Sequence, residues 1–115
     1  MKVIMETIDK SLIIHMFGEL DHHYSEEIRD KIDAKICATD VSTLILELSN
    51  VAFMDSSGIG VLMGRYRLMQ AQGGRVVIAG ISKSIEKIWD VSGLGKIIPR
   101  YSDIAQALGG MEVLR

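Results

Sequence analysis

The stretch Thr43-Leu44-Ile45-Leu46-Glu47-Leu48, continued by Phe53-Met54-Asp55-Ser56-Ser57-Gly58-Ile59-Gly60, decides the fold. Its first part is almost continuously apolar, which is typical of a strand covered on both faces in a parallel or mixed sheet. We predict that residues 49–55 form a loop and that a glycine-rich helix follows. Two serines and an aspartate at a helix start exceed what capping requires. This junction is therefore the candidate functional site.

The residues before this stretch predict a hairpin followed by a helix. Two apolar runs, 3–7 and 12–17, are separated by a short polar turn, a pattern that favours two paired strands. A second polar cluster comes next, Gly18-Glu19-Leu20-Asp21-His22-His23. We expect Asp21 or Ser25 to cap the following helix. Its buried face repeats every four residues through Ile28, Ile32 and Ile36, up to an end near Ala38.

The residues after the junction predict further alternation of helices and strands. We expect the helix after the junction to end at Gly73-Gly74, followed by a strand over residues 76–79 and a helix that ends near Gly93. A short strand, Ile97-Ile98, should then be stopped by Pro99. The last predicted helix is capped by Ser102 or Asp103 and ends at Gly109-Gly110. Such alternation places parallel strands in one sheet. The predicted class is α/β, with a single domain over residues 1–115. It has a mixed central sheet of about five strands and about four helices.

Glycines inside the helix after the junction need an explanation. Gly58, Gly60 and Gly64 each cost roughly 1 kcal/mol relative to alanine in a helix. We expect close packing of this helix on the sheet to be the reason.

Composition excludes several classes of partner. Thirteen Lys and Arg against fifteen Asp and Glu give a formal charge of -2, so no broad positive field attracts nucleic acid. The single Cys37 is expected to be a buried or half-buried hydrophobe in a reducing compartment. No stretch has the roughly 18 apolar residues of a membrane span. We predict a cytoplasmic protein that contacts neither nucleic acid nor membrane directly.

The junction lacks the residues that a hydrolase or metal enzyme needs. A nucleophile elbow has glycine two positions before its serine, but Met54 and Asp55 occupy those positions. The adjacent His22 and His23 cannot easily face one ion, and no cysteine or carboxylate lies at a zinc spacing. We therefore predict no catalytic residues and no metal site.

Two phosphate-related interpretations also fit poorly. Gly58-Ile59-Gly60 with Gly64 lacks the lysine of a P-loop, so a nucleotide- or small-molecule-sensing module is only the alternative function. An aspartyl-phosphate receiver domain would need a lysine after its last strand, whereas Lys96 precedes Ile97-Ile98.

A serine at a helix start can also be a modification site. Phosphorylation there would add about -1.5 to -2 charges where the helix dipole tolerates them, and would alter a docked surface without unfolding the domain. From physical chemistry alone, simple capping by Ser56 and Ser57 is the favoured interpretation.

Several stretches together resemble a known family. They are Gly18-Glu19-Leu20-Asp21-His22-His23, Phe53-Met54-Asp55-Ser56-Ser57-Gly58-Ile59-Gly60-Val61, Gly64-Arg65-Tyr66, Ser92-Gly93-Leu94 and Lys96-Ile97-Ile98. Over nearly its whole length the chain is similar to the STAS-domain anti-anti-sigma factors. The double histidine and the Gly-Arg-Tyr helix most resemble the members that serve sigma-F in endospore-forming bacteria. The resemblance implies a single STAS-type domain.

The resemblance implies a partner-switching protein, not an enzyme, with no cofactor. The unphosphorylated form would bind an anti-sigma factor that is also a serine kinase carrying ADP or ATP, which releases the sigma factor, here sigma-F in sporulation. The kinase would phosphorylate the first serine of the motif, Ser56, and so inactivate the protein. A PP2C-type phosphatase would reverse this step. We expect the free protein to be a monomer.

The resemblance also implies a set of partner-binding residues. They are Glu19, Asp21, His22, Asp55, Ser57 and Gly58. Glu19 and Asp21 match the acidic loop of the family beside the phosphorylation site, where they would meet basic groups of the kinase. Ser57 would serve the helix start.

Overall fold

The computed structural model describes residues 1–113, in which a hairpin is followed by alternating helices and strands. The strands within this range are β1 (Lys2–Ile8), β2 (Ser11–Leu20), β3 (Thr43–Met54), β4 (Arg75–Ile81) and β5 (Arg100–Tyr101). The helices are α1 (Ser25–Ala38), α2 (Ser56–Ala71), α3 (Lys83–Ser92) and α4 (Ile104–Val113), and a 3-10 turn spans Leu94–Lys96. These elements confirm the predicted α/β class and its mixed sheet.

The strands of residues 1–113 form one sheet in the order β1-β2-β3-β4-β5. β1 and β2 are an antiparallel hairpin, whereas β2, β3, β4 and β5 are mutually parallel neighbours. Parallel neighbours need crossover connections, which α1, α2 and α3 provide. The carboxyl ends of β2 and β3 therefore lie at the same edge of the sheet, and the starts of α1 and α2 follow them there.

The sheet separates two hydrophobic clusters. The larger cluster packs α1, α2 and α3 on one face, and its buried side chains include Leu12, Ile14, Met16, Ile28, Ile32, Leu44, Leu46, Leu62, Met69, Ile78, Ile85 and Trp89. The smaller cluster lies under α4 on the other face and contains Ile13, Ile45, Val77, Ala79 and Ala107. β3 contributes to both clusters, because the apolar run 43–48 alternates between the faces. This confirms the prediction of a strand covered on both sides.

β3 is longer than predicted, because most of residues 49–55 belong to the strand. Asn50 to Met54 pair with Phe17 to Leu20 of β2, and Val51 and Met54 are buried. The register between β2 and β3 shifts twice along this part. Such irregularities let polar residues stand within a strand while the ladder continues. The predicted loop 49–55 was therefore wrong.

The last strand lies later in the chain than predicted. Ile98 is buried in the larger cluster and follows the 3-10 turn. The Pro99 carbonyl accepts a hydrogen bond from the Ile78 N–H at 3.0 Å, and Arg100 and Tyr101 then pair with β4. Proline lacks an N–H but keeps its carbonyl acceptor. Pro99 therefore directly precedes β5 and contributes its carbonyl to the sheet. The predicted strand Ile97-Ile98 was wrong.

α4 starts as predicted but continues past its expected end. The Asp103 carboxylate accepts a hydrogen bond from the Gln106 N–H at 2.8 Å, which confirms the cap. The helix then runs through Gly109-Gly110 to Val113. A glycine costs only about 1 kcal/mol in a helix, so two of them do not oblige it to end. The last two residues of the expected tail, 114–115, lie outside the described residues.

Cys37 is exposed on the surface of α1, which corrects the expectation of a buried or half-buried position. The buried stripe of this helix passes through Ile28, Ile32 and Ile36. Cys37 lies one position beyond the stripe, about 100° further round the helix. Within residues 1–113, each helix is too short or too polar to traverse a lipid bilayer.

Candidate functional site

The candidate site lies where β2 and β3 end side by side. Glu19 pairs with Phe53, and Leu20 pairs with Met54. The loop after β2 consequently meets the start of α2, as the parallel arrangement of the two strands requires. The structure thus joins two polar clusters that the sequence separates.

Asp55 connects the two clusters. Its Oδ1 accepts hydrogen bonds from the Ser57 N–H at 2.9 Å and the Gly58 N–H at 3.2 Å, which caps α2. Its Oδ2 accepts one from the His22 N–H at 3.0 Å, across 33 positions of sequence. Burial raises the pKa of Asp55, but the N–H groups of His22, Gly58 and Ser57 lower that pKa by more, so it lies below the ordinary aspartate value.

Because Asp55 caps α2, neither serine hydroxyl is needed as a cap. Ser56 is exposed and Ser57 is half-buried. Within residues 1–113, neither hydroxyl makes a hydrogen bond, and Ser57 contributes its backbone N–H to the cap. The interpretation of the two serine side chains as caps was therefore wrong. The Ser56 hydroxyl is instead available at the surface of the first turn.

The loop between β2 and α1 is stabilised by its own hydrogen bonds. Asp21 Oδ1 accepts from the His23 N–H at 3.0 Å and the Tyr24 N–H at 3.3 Å. The Asp21 carbonyl accepts from the Ser25 N–H at 2.9 Å and from Ser25 Oγ at 2.6 Å. Asp21 therefore shapes the turn that leads into α1, but α1 begins after Tyr24 without a side-chain cap, so the predicted cap by Asp21 or Ser25 was wrong. Ser25 donates its hydroxyl to this turn and does not cap the helix.

Exposed side chains accompany Ser56 at this edge of the sheet. Glu19 and His22 are exposed and Asp21 is half-buried, while the Phe53 ring is 48% exposed beside Glu19. Aromatic side chains are enriched in protein interfaces. We call Glu19, Asp21, His22, Phe53 and Ser56 the acidic face. The exposure of Phe53 was not predicted, because it depends on the register between β2 and β3.

Gly58 allows α2 to lie close to the end of β2. A Cβ at this position would lie 2.3 Å from the Leu20 carbonyl oxygen and 2.7 Å from Met54 Cγ. Gly58 is buried, so it positions the helix and offers no surface to a partner. In contrast, Gly60 and Gly64 have no such neighbour within 4 Å. Close packing therefore explains Gly58 only, and the same expectation for Gly60 and Gly64 was wrong.

Two arginines that the sequence pattern did not predict lie near the site. Arg29 of α1 and Arg65 of α2 line a groove beside Ser57. Their spacing in the sequence could have indicated this position. Arg29 follows Ser25 by four residues and Arg65 follows Ser57 by eight, and such spacings place the two residues of each pair on one side of their helix. In the described range 1–113, no three His, Cys, Asp or Glu side chains gather as metal ligands would.

Replacing Asp55 by alanine is expected to lower the free energy of unfolding by about 1–2 kcal/mol, because α2 loses its cap. Asp55→Asn is the matched control, since its amide oxygen can still accept hydrogen bonds but carries no charge. The pKa of Asp55 is lower in the folded protein. Its charge therefore stabilises the fold fully above the unfolded pKa of about 4, and this contribution disappears as the pH falls through the folded pKa.

Denaturant unfolding over a pH series measures this contribution. The difference in unfolding free energy between the wild type and Asp55→Asn should be present at neutral pH and shrink in acid. A difference that stays constant down to acid pH would contradict the electrostatic role of Asp55.

Comparison with known proteins agrees with this architecture. The STAS domain family model matches residues 2–107. The chain is 38% identical over 114 residues to the anti-sigma F factor antagonist of Paenibacillus polymyxa, with 99% of this chain and 97% of the relative covered. It is similar to the solved structure of the anti-sigma factor antagonist SpoIIAA in its unphosphorylated form, with a TM-score of 0.83, 34% identity and 96% of each chain covered.

A second solved structure is that of the Bacillus cell fate determinant SpoIIAA in the phosphorylated form. Its TM-score is 0.72 at 33% identity, with 99% of this chain and 100% of that chain covered. The family match spans most of the sequence, and these likenesses extend over nearly all of it. The chain therefore belongs to the STAS-domain family, among the anti-sigma factor antagonists.

Proposed function

We propose that the unphosphorylated protein binds an anti-sigma factor, releases the sigma factor and is inactivated by phosphorylation of Ser56. The observation that carries this proposal is the exposed Ser56 hydroxyl, which Asp55 leaves free by capping α2 itself. A hydroxyl in this position can be modified without the loss of a hydrogen bond from the fold. Similar structures in an unphosphorylated and a phosphorylated form support the same role.

Phosphorylation of Ser56 would change the surface more than the fold. A phosphate adds about -1.5 to -2 charges at pH 7, and the first turn of a helix tolerates negative charge because its dipole is positive there. The same charge would lie within the acidic face and close to the Asp55 carboxylate. A partner docked over a neutral hydroxyl would then meet both bulk and repulsion. Binding would therefore change while α2 remains folded.

The acidic face favours a partner with basic groups. Glu19 is exposed, and Asp21 Oδ2 makes no hydrogen bond within residues 1–113, since the turn uses only Oδ1. Complementary charge accelerates association and selects partners. Phe53 adds apolar area next to Glu19. We therefore propose that basic side chains of the anti-sigma factor contact Glu19 and Asp21, and that His22 lies at the edge of this contact.

Asp55 and Ser57 would contribute to binding mainly by fixing the shape of the surface that the partner contacts. Asp55 holds the loop at His22 and the start of α2 in one arrangement. Because docking to a preformed surface costs less conformational entropy than docking to a mobile one, this arrangement favours binding by the acidic face.

We infer that the sigma factor is sigma-F and that the process is sporulation. The double histidine, the Gly-Arg-Tyr helix and the likeness to the Paenibacillus polymyxa relative support this inference. In this scheme the anti-sigma factor is also the serine kinase and carries ADP or ATP, and a PP2C-type phosphatase restores the unmodified protein. The protein is then a substrate of both enzymes and not a catalyst.

A displacement assay tests the function. A complex of the anti-sigma factor with fluorescently labelled sigma factor is titrated with the unmodified protein, and release is followed by anisotropy. We expect release by the wild type and much weaker release by Glu19→Lys. Asp90→Lys is the control, because Asp90 is an exposed acid near the end of α3, remote from the acidic face. Failure of the wild type to release any sigma factor would overturn the proposal.

A further inference from the structure

β1 is an edge strand whose outer side is open. It stands first in the sheet order and, within residues 1–113, pairs with β2 alone. The hairpin turn is closed by Ile8 opposite Ser11, and the residues that flank a two-residue turn form a hydrogen-bonded pair. Because inward- and outward-directed residues alternate along such a strand, Val3, Met5 and Thr7 direct their N–H and C=O groups away from β2. This edge can therefore accept a further strand.

The middle of β1 is apolar on both faces of the sheet. Val3 and Met5 are half-buried against the larger cluster, where they form a shelf beside α1. Ile4 points to the opposite face, because neighbouring side chains of a strand alternate, and it is 45% exposed. A strand paired with this edge would cover apolar surface on both faces.

Two charged side chains of opposite sign flank Ile4 on its own face. Lys2 and Glu6 are both exposed, and residues two positions apart share a face. The Lys2 ammonium lies 5.8 Å from the centroid of the Phe17 ring, and Glu6 Oε1 lies 3.6 Å from His15 Nε2. The segment from Lys2 to Glu6 is thus positive at one end, apolar in its middle and negative at the other end. A second copy that runs in the opposite direction is complementary to it.

The charges select one register for such a pair. In a symmetric antiparallel pair, the residue on the two-fold axis faces itself, and outward-directed residues pair with each other. Of the possible centres, only Ile4 places Lys2 opposite Glu6 of the second copy. A centre at Val3 or Met5 places Lys2 opposite an isoleucine. A centre at Lys2 or Glu6 places two like charges opposite each other, which is unfavourable.

We propose that two copies of this chain associate by antiparallel pairing of their β1 strands about a two-fold axis at Ile4. The pairing joins two five-stranded sheets into one continuous sheet. Backbone hydrogen bonds form between Val3 of each copy and Met5 of the other. Lys2 faces Glu6 on both sides of the axis, and the two Ile4 side chains contact each other there.

The small size of this interface makes the dimer weak. One short strand per copy buries less than the roughly 1,200 Å² of a stable complex. Lys31 and Lys35 of α1 also line the shelf beside Val3 and Met5. Their positive charges oppose contact between the two α1 helices, although Glu27 Oε1 lies 3.5 Å from Lys31 Nζ. We therefore expect a dimer at high concentration and, at low concentration, the monomer that the resemblance implies.

The acidic face stays free in this dimer. Glu19 lies in β2 beyond Phe17, the residue that pairs with Lys2, and β2 takes no part in the new pairing. The two-fold axis directs the two acidic faces to opposite ends of the joined sheet. The dimer therefore goes beyond the proposed function and does not depend on it.

Sedimentation equilibrium of the full chain, over roughly a hundredfold range of concentration up to about 1 mM, tests the association. We expect a reversible monomer–dimer equilibrium for the wild type. Lys2→Glu and Glu6→Lys should each weaken the dimer about tenfold, because two attractive cross-strand pairs become repulsive. An equimolar mixture of these two variants should associate as the wild type does, since opposite charges then face each other again.

Lys87→Glu and Asp90→Lys are the matched controls, because both residues are exposed on α3. They make the same changes in net charge and should leave the equilibrium unchanged. A wild type that stays monomeric over the whole range would overturn the proposal and would leave the edge to a strand of a different protein. Failure of the mixed variants to associate more tightly than either variant alone would overturn the register.

Disulfide cross-linking tests the position of the axis. In a Cys37→Ser background, which removes the exposed native thiol, Ile4→Cys should give a covalent dimer with oxidised glutathione. Residues that face each other in an antiparallel pair have their Cβ atoms about 4.5–5.5 Å apart. Ile8→Cys is the control, because Ile8 is 41% exposed on the same face but lies far from the axis. Equal cross-linking of the two variants would contradict pairing about Ile4.

Discussion

Gly58→Ala is expected to lower the free energy of unfolding by about 3 kcal/mol, at the upper end of overpacking costs. The new Cβ would lie 2.3 Å from the Leu20 carbonyl oxygen and 2.7 Å from Met54 Cγ. Leu20 and Met54 are the paired ends of β2 and β3, so the carbonyl cannot retreat without loosening that pairing. The methyl group would instead push α2 away from the sheet. Urea denaturation measures the loss.

Gly60→Ala is the matched control for this prediction. Gly60 lies two positions further along α2, and an added Cβ there would meet nothing within 4 Å. Alanine should therefore stabilise the helix by up to about 1 kcal/mol. Opposite signs for the two substitutions would establish that close approach, and not helix propensity, requires Gly58. Equal effects would contradict the observed packing.

Ser56→Asp is expected to weaken binding of the anti-sigma factor by at least about tenfold, or about 1.4 kcal/mol. The carboxylate places a permanent negative charge beside Asp55, on the surface where the proposed partner docks. The melting temperature should change little, because the hydroxyl that is lost makes no hydrogen bond within residues 1–113 and a helix start tolerates the charge. Calorimetric titration with the nucleotide-loaded anti-sigma factor measures the affinity.

Ser56→Ala separates the effect of charge from the loss of the hydroxyl. It removes the phosphorylation site but adds neither charge nor bulk, so we expect binding close to that of the wild type. Unchanged affinity in Ser56→Asp would refute the proposed switch. A large drop in its melting temperature would show that the substitution acts through folding.

The parts of the fold that depend on local patterns were predicted correctly from the sequence. The initial hairpin, the buried stripe of α1 and the apolar run of β3 each repeat with the period of their element. The errors occurred where distant pairing decides the outcome. Ser49-Asn50 is polar, but pairing with β2 keeps this part of the chain in β3. Similarly, the Ile78 N–H donates a hydrogen bond to the Pro99 carbonyl and so joins this residue to the sheet. A local sequence pattern does not indicate such a bond between distant residues.

The candidate site was located from the sequence, but the roles of its residues were not. Asp55, Ser56 and Ser57 are all good capping residues, so composition does not decide which one caps α2. The backbone decides, because Asp55 is extended at φ -114° and ψ -170° while Ser56 is already helical. The hydrogen bond between the His22 N–H and Asp55 joins the two ends of one crossover unit, β2-α1-β3, and no local sequence pattern indicates it. The same is true of the ion pair between the buried Arg65 and the half-buried Asp33.

Mapping the phosphate after a kinase reaction tests the proposed switch. The protein is incubated with its anti-sigma factor and ATP, and the modified peptide is sequenced by mass spectrometry. Ser56→Ala and Ser57→Ala are treated in parallel. We predict a single phosphate on Ser56, retained in Ser57→Ala and absent from Ser56→Ala. A phosphate on Ser57 or Asp55 in the wild type would contradict the account.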